Sequence, residues 1–126
     1  MFHIGHLNIL KRAKEHCDYL IVGVSTDELC ESYKHKRPII PFEARKAIVE
    51  SIRYVDEVVP QVDREKFKAW EKIGFDVMFV GDDWKNSPLF DALEAQFADV
   101  NVRIEYFPYT KGISSTILRE KLDAIL

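Results

Sequence analysis

His3 and His6 bracket Gly5 almost at the start of the chain, at the head of a stretch with helical spacing. Imidazoles at such a point can hold a phosphate against a helix N-terminus, where backbone N–H groups and the macrodipole already favour an anion. Near the other end, Gly112-Ile113-Ser114-Ser115-Thr116 supplies a second helix start. Its hydroxyls suit capping, and its glycine lets a phosphate approach the backbone closely. Two such elements in one small chain suggest a triphosphate gripped from both sides. The plainer reading of His3 and His6 is helix capping. A metal site built from His3, His6 and His16 lacks a cysteine or carboxylate at ligand spacing and is set aside.

These groups need a scaffold, and the chain supplies one of alternating elements. Leu7, Leu10, Ala13 and Cys17 recur at helical spacing, predicting a helix from Ile4 to His16. Tyr19 to Val24 is a continuous apolar run, expected of a strand buried on both faces. Ser25-Thr26-Asp27-Glu28 closes it with turn and cap chemistry, and Lys34-His35-Lys36-Arg37-Pro38 forms a basic loop. A helix opens at Pro41 and Glu43 and runs to about Ile52. A strand from Val55 to Val59 ends at Pro60, and a helix covers Glu65 to Ile73. Phe75 to Val80 is strand-like, ending at Gly81-Asp82-Asp83-Trp84. A helix from Leu89 to Phe97, a strand from Val102 to Phe107 and a last helix after Gly112 complete the order. The alternation predicts an α/β fold: an open, doubly wound, mostly parallel sheet with helices on both faces. Ligands of such sheets bind beyond the carboxyl ends of the strands, where the basic loop, Asp82 to Trp84 and Thr110 to Thr116 all fall.

Composition narrows the class. At 126 residues the chain is long enough for a single domain over 1–126 and too short for two. Its 47% hydrophobic and 31% charged residues are those of an ordinary globule, and a net charge of −3 argues against nucleic acid as a partner. Cys17 and Cys30 make no disulfide framework and read as buried thiols of a reducing compartment. No apolar run approaches the ~20 residues of a membrane span, so membrane insertion is not expected and a cytoplasmic location is.

With these residues assembled, the chain resembles the HxGH superfamily of nucleotidylyltransferases, and most closely its glycerol-3-phosphate cytidylyltransferase branch. His3-Ile4-Gly5-His6 matches the HxGH element, and Arg53-Tyr54-Val55-Asp56-Glu57-Val58 matches RYVDEV unchanged. Gly81-Asp82-Asp83-Trp84 matches GDDW, and the segment from Thr110 to Thr116 resembles the RTxGISTT ending. HxGH alone is shared by several activities; the four motifs in this order are specific. The resemblance implies transfer of CMP from CTP, as its Mg2+ complex, to a phosphorylated alcohol, with release of pyrophosphate. Such a transfer is mostly positioning and charge stabilisation.

On that reading His3 and His6 donate to phosphate oxygens in the transition state. Lys34 and Lys36 neutralise the acceptor phosphate and the α-phosphate, unless the loop is merely solvated. Arg53 binds the nucleotide, its alternative being a surface salt bridge. Asp82, Asp83 and Trp84 contact the nucleoside, or else serve turn chemistry and packing. Thr110, Gly112, Ile113, Ser114, Ser115 and Thr116 hold the β- and γ-phosphates at the final helix. The resemblance also implies a homodimer, weakly supported by the apolar Tyr54, Val55 and Val58. An adenylyltransferase on the same scaffold, and a nucleotide-binding or dimerising relic without turnover, are the competing functions.

Two departures stand out. The family carries a first strand and a GTFD-like turn before HxGH, where this chain has only Met1-Phe2. That strand lies mid-sheet in the doubly wound order, so its loss would leave neighbouring strands unpaired and invite pairing with other chains. The expectation is that Met1 is an internal methionine of a longer polypeptide. The second departure is Tyr109, where the family has an arginine. A charged hydrogen bond of about 1.5–3 kcal/mol is then absent. Tyr109→Arg is expected to lower the KM for CTP or raise turnover, measured by pyrophosphate release. No gain in a folded variant would mean that the site is built around the tyrosine.

Overall fold

The computed structural model describes residues 2–108 of the chain. Its elements are α1 (Ile4–Glu15), β1 (Ile21–Ser25), α2 (Asp27–Lys34), α3 (Phe42–Glu50), β2 (Glu57–Gln61), α4 (Lys66–Ile73), β3 (Val77–Gly81), α5 (Pro88–Ala98) and β4 (Arg103–Phe107). A single 3-10 turn, Asp82–Trp84, follows β3. They fall into two compact units. One comprises Lys14–Phe75; the other joins the described residues before Lys14 with those from Asp76 to Pro108.

In the Lys14–Phe75 unit β1 and β2 pair in parallel, with Ile21 opposite Glu57 and Ser25 opposite Gln61. The link between them carries α2 and α3, as a parallel crossover must. α3 packs on both strands, and Leu20, Val24, Leu29, Cys30 and Val49 form the core. In the other unit β3 and β4 pair in parallel, with Val77 opposite Arg103. α5 covers β4, its Phe90, Leu93 and Phe97 buried with Val102 and Phe107. The Arg12 guanidinium of α1 sits over the Phe107 ring at 5.8 Å. The parallel α/β class matches the expectation. The hydrogen-bonded sheet is partial, each strand pairing with one neighbour among the described residues.

Local chemistry explains most boundaries. Ser87 accepts from the Phe90 N–H at 3.2 Å and Pro88 follows at the first helical position, so α5 starts there. α4 ends at Gly74, whose φ of 74° closes the helix with a bond to the Trp70 carbonyl. The structure corrects the sequence reading in three places. Residues 27–34, expected only to begin with turn and cap chemistry, form α2. Thr26 caps it through Leu29 N–H, and Asp27 and Glu28 suit its first turn. Pro60 does not end β2 but stands within it, opposite Val24. β2 has no second strand beside it among the described residues, so the missing N–H breaks no ladder. Finally, β1 is only half-buried, Val24 alone being fully so.

The amino-terminal ends of β1 and β2 are fastened by Asp56. Its carboxylate accepts from Leu20 N–H at 2.7 Å and from the Lys14 ammonium. The Asp56 and Glu57 N–H groups return to the Leu20 carbonyl at 2.9 and 3.2 Å. The Leu20 N–H first, and Lys14 second, hold the Asp56 carboxyl below the usual carboxylate range. A depressed folded pKa means that the charged form favours the fold. That contribution is complete above the ordinary pKa of about 3.9 and is lost as pH falls through the folded value. Asp56→Asn should therefore melt several degrees below the parent at pH 7, with the gap closing in acid. Equal melting temperatures at pH 7 would show that the fastening adds nothing.

Candidate active site

The histidine element forms as a locked pair. The Gly5 N–H donates to Nδ1 of His3 at 3.1 Å, and the His3 N–H donates to Nδ1 of His6 at 3.1 Å. The two rings lie 4.0 Å apart, and His6 also stacks on Phe2 at 5.2 Å. Because each Nδ1 is an acceptor, each neutral ring carries its proton on Nε2. Two N–H donors are thus aimed away from the backbone. Capping and phosphate binding, posed as alternatives from sequence, use different nitrogens of the same rings. One expectation shifts: the Gly5 N–H is taken by His3, and the His6 and Leu7 N–H groups bond the His3 carbonyl at 3.0 and 3.2 Å. The anion donors at this helix start are therefore the imidazoles rather than the amides of Gly5, His6 and Leu7.

The same packing sets the charge of the pair. Loss of surrounding water pulls His6 down to about 4, with repulsion from His3 adding to it. Desolvation also lowers His3. The His6 ring is thus neutral at physiological pH, a hydrogen-bond donor through Nε2 and no cation.

Asp82, Asp83 and Trp84 make the 3-10 turn at the carboxyl end of β3. Trp84 stacks on the buried Phe90 at 5.4 Å and remains 42% exposed. The turn is closed by main-chain bonds, Lys85 N–H to Asp82 O at 3.1 Å and Ser87 N–H to Trp84 O at 3.2 Å. Both carboxylates are exposed and have no partner among the described residues, so the turn does not consume them. Packing accounts for Trp84, and the acids are left open to solvent or ligand. His3, His6 and this turn belong to one compact unit.

Lys34, Lys36 and Arg53 belong to the other unit. Lys34 ends α2, and His35 reverses the chain in a left-handed conformation, φ 59°, with its N–H on the Glu31 carbonyl at 2.9 Å. Arg37 is consumed by Glu31 at 3.0 Å and lies 3.9 Å from Asp27. Lys34 and Lys36 have no carboxylate partner among the described residues. Arg53 precedes β2, at the amino-terminal end of the strands, and is not brought to the end where Lys34 lies. It bonds the Tyr54 hydroxyl at 3.2 Å and sits over that ring at 5.2 Å. It makes no salt bridge among the described residues. Thr110, Gly112, Ile113, Ser114, Ser115 and Thr116, with Tyr109, lie outside the described residues.

Sequence reasoning missed the pair that frames the lysine loop. Arg45 donates to Ser25 O at 2.7 Å, Ile40 O at 2.9 Å and Asp27 Oδ1 at 2.7 Å. Asp27 also accepts from Phe42 N–H at 3.2 Å. That bond first, and Arg45 second, lower the Asp27 pKa. An acid at a strand end and an arginine 18 positions later carry no local signal; only folding joins them.

The protonation state is open to direct measurement. His6 should titrate near 4 and show the Nε2–H tautomer in long-range nitrogen–proton spectra. Since its folded pKa lies below the ordinary ~6.5, the unfolded chain takes up the proton first, and stability declines as pH falls from about 6.5 towards 4. A midpoint near 6.5, or an Nδ1–H tautomer, would remove the lock.

The likenesses to known proteins agree on a family. The Cytidylyltransferase-like family matches residues 1–121. A glycerol-3-phosphate cytidylyltransferase of Bacillus subtilis is 41% identical over 124 residues, covering 97% of this chain and 89% of its own. That of Staphylococcus aureus is 38% identical over 129 residues, covering 97% and 87%. Among solved structures, a lipopolysaccharide core biosynthesis protein from Thermoplasma volcanium superposes with a TM-score of 0.71 over 90% of each chain. At 22% identity that likeness speaks for the fold alone. Motifs, parallel α/β architecture and whole-length similarity together place the chain in the cytidylyltransferase-like family.

Proposed function

We propose that the protein transfers CMP from CTP to glycerol 3-phosphate, releasing pyrophosphate. The observation that carries this reading is the histidine pair, whose engaged Nδ1 atoms leave two Nε2–H donors at a helix start. About 40% identity to glycerol-3-phosphate cytidylyltransferases over nearly the whole chain supports the choice of substrates.

In the reaction an oxygen of the acceptor phosphate attacks the α-phosphorus of CTP. The bond from that phosphorus to the bridging oxygen breaks, and the electron pair leaves with pyrophosphate. A phosphate monoester is already largely ionised at neutral pH, so the attack needs no general base. His3 and His6 could not supply one readily, since Nδ1 is engaged and Nε2 carries the proton. Their work is donation to α-phosphate oxygens as charge builds on them. Lys34 and Lys36 offset the repulsion between two polyanions that must meet. Asp82 and Asp83 accept from nucleoside donors beside Trp84. The segment from Thr110 to Thr116 completes the nucleotide contacts, whereas Arg53, at the amino-terminal end of the strands, stands apart from them.

CTP enters as its Mg2+ complex, and the ion's charge offsets that of the phosphates. Among the described residues no three ligating side chains converge on a metal cage. A cytoplasmic homodimer belongs to the same proposal. It is supported by the free thiols of Cys17 and Cys30, and by the apolar side chains of the matched RYVDEV segment. No helix among the described residues is long and apolar enough to cross a membrane.

Pyrophosphate release with each of the four nucleoside triphosphates, over a panel of phosphorylated alcohols, tests the reading. CTP-dependent release with glycerol 3-phosphate is expected. ATP-dependent release would make the chain an adenylyltransferase, and binding without release a relic. His3→Ala and His6→Ala should each lower kcat by ~10²–10³ while changing CTP affinity little, as for donors that act in the transition state. Near-normal turnover in either would take that imidazole out of the mechanism.

A further inference from the structure

At the carboxyl-terminal rim of β1 and β2 one aromatic ring gathers two cations. The Tyr33 hydroxyl lies beside the Ser25 and Cys30 side chains, which brings the ring to the end of β1. The Arg64 guanidinium stands over that ring at 4.7 Å, and the Lys34 ammonium at 5.5 Å. Arg64 follows β2 by three residues, in the turn before α4, so it reaches the same rim from the neighbouring strand. The Thr26 N–H bonds the Gln61 carbonyl at 3.1 Å and ties the two strand ends together there.

The charges around this ring are unbalanced. The nearby arginines are satisfied: Arg45 by Asp27 and Arg37 by Glu31. Arg64 and Lys34 have no carboxylate partner among the described residues. An aromatic face tolerates cations and orients a guanidinium, but it does not neutralise two positive charges. A doubly charged anion does. A guanidinium that meets a ring rather than a carboxylate keeps N–H donors for paired oxygens, a pattern suited to phosphate. The carboxyl ends of parallel strands are also where such folds bind ligands.

We infer that Arg64, placed over the Tyr33 ring at the end of β1 and sharing that ring with Lys34, binds the phosphate of the acceptor substrate. This rests on the proposed cytidylyl transfer, in which Lys34 faces that phosphate. Arg64 is then a specificity residue: it selects a phosphate monoester over the free alcohol and leaves CTP binding to other groups. Tyr33 acts through Arg64 as a positioning residue, its ring holding the guanidinium at the rim.

Steady-state kinetics of Arg64→Gln, with CTP and glycerol 3-phosphate varied separately, test the assignment. Loss of a charged hydrogen bond is expected to raise the KM for glycerol 3-phosphate by ~10–100-fold, with the KM for CTP within about twofold. Arg64→Lys should recover only part of the loss, because an ammonium offers no planar fork. Tyr33→Leu should show a smaller rise in the same KM. An unchanged KM for glycerol 3-phosphate, or a rise confined to CTP or equal for both, overturns the inference. Calorimetric titration with glycerol 3-phosphate, and with glycerol as control, separates this from failure of the proposed reaction. If the parent protein binds glycerol 3-phosphate and Arg64→Gln does not, the subsite stands even without turnover. Binding by both alike, or by neither, overturns it.

Discussion

The contact between Asp27 and Arg45 governs the carboxyl-terminal face of the Lys14–Phe75 unit. One guanidinium, donated from α3, closes on the last carbonyl of β1, the carbonyl of Ile40 and the carboxylate that begins α2. The same carboxylate receives the first N–H of α3. A charged, forked donor is suited to such a junction because its hydrogen bonds are directional and their lengths short. The loop from Lys34 to Pro41 is thereby held at both ends. Without the junction the loop's lysines would have no fixed relation to the strand ends.

Charge accounting then separates structural from functional cations. Asp27 and Glu31 are spent on Arg45 and Arg37, and Asp56 on Lys14. Lys34, Lys36 and Arg64 receive no carboxylate among the described residues, and Lys34 and Arg64 meet over one ring where a phosphorylated acceptor is proposed to sit. The histidine pair follows a parallel logic. Backbone donors occupy the inner nitrogens of His3 and His6, and the outer ones are left for a ligand. In both places the protein's own contacts define which polar groups remain to do chemistry.

The strand pair is correspondingly divided. At its amino-terminal end Asp56, Leu20 and Lys14 form a fastening that sets the parallel register. At its carboxyl end sit Ser25, Tyr33, Lys34 and Arg64. The RYVDEV segment illustrates the division within six residues. Asp56 belongs to the fold, whereas Arg53 keeps its charge uncompensated by any carboxylate among the described residues, its guanidinium resting on Tyr54.

The sequence by itself determined the family, the parallel α/β class and the identity of the motif residues. Those features are written in contiguous residues: HxGH, RYVDEV, GDDW, and the apolar periods of the helices and strands. It also placed most elements to within a few residues, because caps such as Ser87 and closers such as Gly74 act locally. Only the tertiary structure decided which polar atoms were already engaged. The tautomer of His3 and His6 depends on which backbone N–H meets which ring nitrogen. Helix α2 was hidden because eight residues with two buried side chains give little periodicity to read. Pro60 was misread as a strand end because its tolerance depends on the absence of a second strand beside β2 among the described residues. Arg64 gave no signal at all, since its meaning comes from Tyr33, a residue 31 positions away brought to the same rim by strand pairing. Local patterns specify elements, but the balance of charge at a site is set by distances in space, and the fold alone fixes those.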